Sequence, residues 1–241
     1  IYIITKINKV NSQIEKEELE NIIIEEEKQE EIKKETPISD SKKEEKKQEN
    51  VKIQVKNYEK NYKKLTEINN DFRYWLTVNN TKIDYPVVQA TDNDYYLYRD
   101  YYKNKNRHGW IYMDYRNNIE DLSDNTIIFG HNLANQKMFG TLRYVTNPSW
   151  YKKSSNQTIT FNTTKANMKW QIISIYKIPV TNDYLVANFA SSEDKLNFLD
   201  MITQRSIYDF NATYDENTKI ITLSTCSNGS KDRLVVHAKL I

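Results

Sequence analysis

The sequence contains one cysteine, Cys226, at the end of the run Lys219-Ile220-Ile221-Thr222-Leu223-Ser224-Thr225-Cys226. After a stretch containing Asn228-Gly229-Ser230, a second run begins at Arg233 and continues Leu234-Val235-Val236-His237. Two β-rich runs separated by Asn, Gly and Ser read as a hairpin, which makes Cys226 and Arg233 face each other at its mouth. The thiolate is the nucleophilic form of cysteine. A neighbouring cation lowers a thiol's pKa and can hold a developing oxyanion, so the pair suits acyl transfer through a thioester. A lone cysteine is more often a small buried hydrophobe, but a strand end beside Asn-Gly-Ser and an arginine argues against that use.

Acyl transfer needs an acid-base group, and the chain has histidines at 108, 131 and 237. His237 lies four residues into the strand beyond Arg233, roughly 13 Å from the mouth at ~3.3 Å per residue, too deep to reach Cys226. His108 sits in Lys103-Asn104-Lys105-Asn106-Arg107-His108 and is expected to be a solvated loop residue. His131 follows the apolar strand Thr126-Ile127-Ile128-Phe129 and Gly130, read here as a hinge. A strand end followed by a loop is a common address for catalytic groups, so His131 is the candidate.

The elements that must position these residues are mostly strands. Short β-rich runs bounded by turn residues occur at Ile83 to Gln89, Gly109 to Tyr115, Thr126 to Gly130, Thr158 to Asn162, Met168 to Lys177, Lys219 to Cys226 and Arg233 to Ile241. About seven strands at such spacing predict a closed or sandwich-like antiparallel sheet. Ser191-Ser192-Glu193 offers a helix start, and Leu196, Leu199, Met201 and Ile202 an apolar face, which predicts a helix over 191–205 between the last strands. Upstream, Val51, Val55, Tyr58, Tyr62, Leu65, Phe72 and Leu76 carry helical spacing, so one or two helices are expected to lead into the folded domain.

The first 57 residues are different in kind. They hold 12 Lys and 14 Asp or Glu but one aromatic, Tyr2, of the chain's 29, and cannot build a core of their own. Residues 1–57 therefore read as a charged stalk, with a short amphipathic helix on Ile3, Ile7, Val10 and Ile14, and 58–241 as the folded domain. Ile1-Tyr2-Ile3-Ile4 ahead of Lys6 and Lys9 has the composition of the end of a membrane anchor, and an N-terminal anchor beyond this sequence is the expectation. With 35 basic and 33 acidic residues the net charge is +2, which gives no field for gathering nucleic acid. One cysteine excludes a disulfide framework, and three scattered histidines leave no recognisable metal-ligand spacing, so neither metal nor cofactor is expected.

Thr222-Leu223-Ser224-Thr225-Cys226 followed by Arg233 resembles the TLxTC-to-Arg signature of sortases, cysteine transpeptidases that fix proteins to Gram-positive cell walls. Ile128-Phe129-Gly130-His131-Asn132 resembles their histidine segment. Ile83-Asp84-Tyr85-Pro86-Val87-Val88-Gln89, Asp92-Asn93-Asp94-Tyr95-Tyr96-Leu97, Ile111-Tyr112-Met113-Asp114-Tyr115-Arg116-Asn117 and Met138-Phe139-Gly140 resemble class B sortases in the same order, over about residues 58 to 241.

The resemblance implies a mainly β fold: a closed eight-stranded barrel with N-terminal helices and one helix between the sixth and seventh strands. It implies an enzyme of the cysteine-endopeptidase type acting at the extracellular face of the membrane. Cys226 would cleave a C-terminal sorting motif of secreted surface proteins after Thr, His131 would serve as acid and base, and Arg233 would hold substrate and oxyanion. The acceptor would be an amine of a peptidoglycan cross-bridge or its precursor. By similarity Asn93, Leu97, Tyr184, Leu185 and Ser224 would line the peptide groove. A hydrolase that releases its peptide, a pilin-polymerising enzyme, and a peptide-binding module with a disarmed site remain the alternatives.

Overall fold

The structure, a computed structural model, describes residues 62–163 and 166–241. The charged stalk 1–57, the short helix around Ile3 to Ile14 and the run from Val51 to Tyr58 lie outside the described residues. The chain divides into two units, Ile1–Asn70 and Asp71–Ile241. In the first, residues 62–68 form helix α1, closed where the Asn69 N–H donates to the Leu65 carbonyl at 2.9 Å.

The helical spacing does not continue to Leu76. Phe72–Val78 is strand β1, a departure from the helix expected there. Phe72 and Leu76 are four apart, which suits a helix face, and also an even number apart, which suits a strand face. Seven consecutive residues rich in aromatic and β-branched types settle the competition for the strand once β2 and β5 offer partners. Seven further strands follow: β2 (Asp84–Val88), β3 (Tyr112–Met113), β4 (Asn125–Phe129), β5 (Thr158–Asn162), β6 (Lys169–Pro179), β7 (Ile220–Ser227) and β8 (Asp232–Leu240). A short helix α2 (Pro148–Tyr151) precedes β5, and α3 (Ser192–Gln204) lies between β6 and β7.

The strands close into a barrel in the order β1-β2-β3-β4-β7-β8-β6-β5. The expected all-antiparallel sheet is corrected in two places, because β2 pairs with β3 and β4 with β7 in parallel. Parallel neighbours need a long crossover, and the chain supplies one each time: residues 89–111 join β2 to β3, and β5, β6 and α3 intervene between β4 and β7. The Gly109-to-Tyr115 run contributes only two ladder residues, since Asp114 turns out of the strand.

Along β7 and β8 the side chains alternate. Ile221, Leu223, Val236 and Ala238 are buried on one face. The other carries Ile220 and Val235, which pack with Phe198, Leu199 and Ile202 of α3. Cys226 and Arg233 share the parity of this second face, beneath α3 and the loop that leads into it. The helix starts where expected: Ser191 Oγ accepts the Asp194 N–H at 3.1 Å, and buried Lys195 pairs with Asp124 at 2.9 Å beside the start of β4.

Candidate active site

Three strands bring the reactive groups together. In the antiparallel β7–β8 ladder Cys226 stands directly opposite Arg233, and directly opposite residues share a face. In the parallel β4–β7 ladder Phe129 stands opposite Ser224. Two residues further on each strand lead to His131 and Cys226. Two hydrogen bonds carry the strands side by side past the end of the ladder: Thr225 Oγ1 donates to the Gly130 carbonyl at 2.6 Å, and the Asn132 amide donates to the Cys226 carbonyl at 2.8 Å.

His131 is fixed by its surroundings. Its Nε2–H donates to the Leu97 carbonyl at 3.0 Å. Its own carbonyl accepts the N–H groups of Leu133 and Phe139 at 3.1 and 3.0 Å, which folds the loop 131–140 back on itself. Arg143 closes that loop by donating from Nη2 to the Leu133 carbonyl at 2.8 Å. Gly130 is needed here for space and does not act as the hinge expected: a Cβ at that position would lie 2.8 Å from the Phe139 ring. The Gly-His-Asn segment and the Met138-Phe139-Gly140 segment are thus two halves of one packed unit.

Cys226 is a half-buried free thiol. Tyr112 and Tyr184 lie close enough to interact with it; burial, above all, raises the phenol pKa of both, and proximity to the thiol raises it further. Arg233 is half-buried, and its Nη1 donates to the Ser230 and Asp232 carbonyls at 3.2 and 3.1 Å, so the guanidinium is held at the turn that joins β7 to β8. Gly229 in that turn has φ 61°, the left-handed conformation that the Asn-Gly-Ser pattern foreshadows.

The other histidines are set apart. His237 pairs with Thr222, inside the barrel wall and away from the mouth, and is fully buried. His108 is 8% exposed, which corrects the expectation of a solvated residue; Gly109 at φ 55° packs its backbone against Tyr96 and draws the neighbouring ring inward.

The five residues expected in the groove divide. Leu97 meets the site through its backbone, by the bond to His131. Asn93 braces a loop, its amide donating to Asp114 Oδ2 and its Oδ1 accepting the Tyr115 N–H, both at 3.1 Å. Tyr184 and Ser224 present almost no surface, being 1% and 3% exposed, with the two hydroxyls bonded at 3.0 Å. Leu185 is half-buried against the cluster under α3. Asn132, Thr225, Tyr112, Asp114 and Arg116 position the site without having been singled out from sequence; all lie inside the quoted motif segments, which was the available signal. Among the described residues no group of three or more His, Cys, Asp and Glu is placed to hold a metal ion.

The sequence model of the Sortase domain matches residues 76–241. The chain belongs to the sortase family, in its class B. Sortase B of Listeria monocytogenes is 35% identical over 182 residues, covering 74% of this chain and 73% of the relative. A mutant form of Clostridium perfringens sortase B superposes with TM-score 0.74 at 30% identity, covering 78% of this chain and 89% of that one. The Staphylococcus aureus sortase B–substrate complex gives TM-score 0.72 at 30% identity, over 82% and 94%. This sortase is accordingly a cysteine transpeptidase of cell-wall protein sorting, with a peptide substrate and an amine acceptor, from a family of membrane-associated cell-surface enzymes. No helix among the described residues is long and apolar enough to cross a membrane.

Proposed function

We propose that Cys226, His131 and Arg233 carry the transpeptidation. The Cys226 thiolate adds to the carbonyl carbon of a Thr in the C-terminal sorting motif of a secreted surface protein, and Arg233 holds the oxyanion. Collapse breaks the C–N bond, and His131 gives its proton to the departing amine. The acyl-enzyme thioester is then attacked by a peptidoglycan cross-bridge amine. His131 takes that amine's proton, the C–S bond breaks and the thiolate is restored. What supports this reading is the double register of β7, which carries His131 alongside on one neighbour and Arg233 opposite on the other.

The peptide lies between the turn through Asn93 and Leu97 and the loop through Tyr184 and Leu185, with Ser224 beneath. The charged stretch 1–57 serves as a tether from an N-terminal anchor, so the enzyme works at the extracellular face of the membrane as a member of the cysteine-endopeptidase class.

The test is product analysis of a sorting-motif peptide by mass spectrometry, with and without triglycine, the acceptor mimic held by one solved sortase B. The expected outcome is a peptide–triglycine conjugate that replaces the hydrolysed fragment as triglycine is raised. Hydrolysis alone at every triglycine concentration would overturn the proposal in favour of a releasing peptidase.

A further inference from the structure

One buried carboxylate joins the two segments that flank the proposed catalytic groups. Asp114 leaves β3 with its side chain fully buried. Its Oδ2 accepts the Asn93 amide at 3.1 Å, in the segment that continues to Leu97 and the Leu97 carbonyl on His131. Arg116 forks onto the same carboxylate, Nε to Oδ1 at 2.9 Å and Nη2 to Oδ2 at 2.7 Å. The same Nη2 continues to the Leu185 carbonyl at 3.1 Å, on the opposite segment. The barrel supports this junction from below: the Asp114 N–H donates to the Ile127 carbonyl at 2.9 Å, and Gln89 Nε2 donates to the Asp114 carbonyl at 2.9 Å.

We propose that Asp114 and Arg116 form a brace that sets the distance between the two walls of the peptide groove, with Arg116 the positioning residue that spans it. The inference rests on the catalytic reading given above. Its geometry demands arginine. A planar fork can hold both carboxylate oxygens while one of its N–H groups reaches a third acceptor, whereas a lysine ammonium has a single nitrogen and cannot span the carboxylate and the Leu185 carbonyl together. Burial by itself pushes the Asp114 carboxyl up; the Arg116 fork, the Arg116 backbone N–H and the Asn93 amide outweigh it and hold the group below the usual carboxylate range. The brace is therefore charged, and intact, throughout the neutral range.

Arg116 is the residue to vary, because its side chain is 42% exposed and its loss opens no core cavity. For Arg116→Lys and Arg116→Met, KM for a sorting-motif peptide should rise about tenfold while kcat changes less than about threefold, the pattern of lost groove binding. Alkylation of Cys226 by iodoacetamide, which needs no groove, should keep its rate. Hydrogen exchange should quicken in both 92–97 and 183–190, with β7 and β8 unchanged. An unchanged KM, or faster exchange in only one of the two segments, would overturn the brace. So would a KM rise accompanied by an equal loss of alkylation rate or a collapsed thermal melt. Retained turnover in Cys226→Ala would instead overturn the catalytic reading, whatever Arg116 does.

Discussion

At the scale of single residues, His131 and His237 show how surroundings assign a role. Thr222 Oγ1 donates to Asn125 Oδ1 at 2.6 Å, so it accepts from His237 Nδ1–H at 2.8 Å. The His237 Nε2 then accepts the Tyr176 hydroxyl at 2.8 Å, and the ring is neutral with every polar atom bonded. Burial first, and the Arg205 charge second, lower its pKa to about 3. The ring must stay uncharged in the fold but protonates when unfolded, near 6.5. Its contribution is present in full above that value and is lost as pH falls from about 6.5 towards about 3, at up to ~1.4 kcal/mol per pH unit. His237→Gln should lower Tm at pH 7.5 yet flatten the fall in Tm between pH 6.5 and 4; parallel pH profiles for the two proteins would refute this. The His131→Ala protein should lose at least ~10²-fold in peptide cleavage, the usual share of acid-base help, with its melt retained. Cys226→Ala should show no turnover and a melting temperature within a few degrees of the parent's, since a half-buried strand-end side chain adds little core volume.

At the scale of elements, the loop after β4 is the part most dependent on close fit. Gly130 lies under the Phe139 ring and Gly140 under the Leu133 carbonyl, where added Cβ atoms would come within 2.8 and 2.3 Å. Gly130→Ala should therefore cost ~1–3 kcal/mol in urea unfolding, the range for overpacking, and lower activity by displacing His131. Gly130→Ala combined with Phe139→Leu should regain part of the stability; no recovery in the double variant would show that the ring is not the obstacle. The sequence marked both segments but read Gly130 as a hinge, because a clash with a residue nine positions away is invisible without the fold. Helix α3 was legible from its Ser191 start and its apolar spacing, both local properties. Strand β1 was not, since Phe72 and Leu76 fit either period until β2 and β5 are present to pair with it.

At the scale of the whole molecule, β1 makes a strong claim about where the domain begins. It is hydrogen-bonded on both sides, to β2 and to β5, so it closes the barrel. A protein beginning at residue 79 lacks the entire strand, exposes two sheet edges, and should show no cooperative thermal transition. One beginning at residue 51 should melt and cleave peptide like the full chain, because residues 1–50 contain a single aromatic and offer little apolar surface to bury. Scanning calorimetry of the three proteins checks this; a cooperative melt for the residue-79 protein, or a large loss on removing only the first 50 residues, would misplace the boundary.

Local pattern in the sequence determined the hairpin of Cys226 and Arg233, the helix before β7, seven of the strand positions and the charged stretch ahead of the domain. Each depends on neighbours in the chain, on side-chain period, turn chemistry or composition, and those act over a few residues. Tertiary structure alone decided the parallel pairing of β4 with β7, which places His131 beside a cysteine 95 positions later. It decided too that His108 is buried, that Tyr184 turns its hydroxyl to Ser224, and that Asp114 and Arg116 tie Asn93 to Leu185. The physical reason is common to all of these. Pairing across a crossover and burial against a distant segment depend on which surfaces meet when the barrel closes, and no residue's neighbours along the chain carry that information.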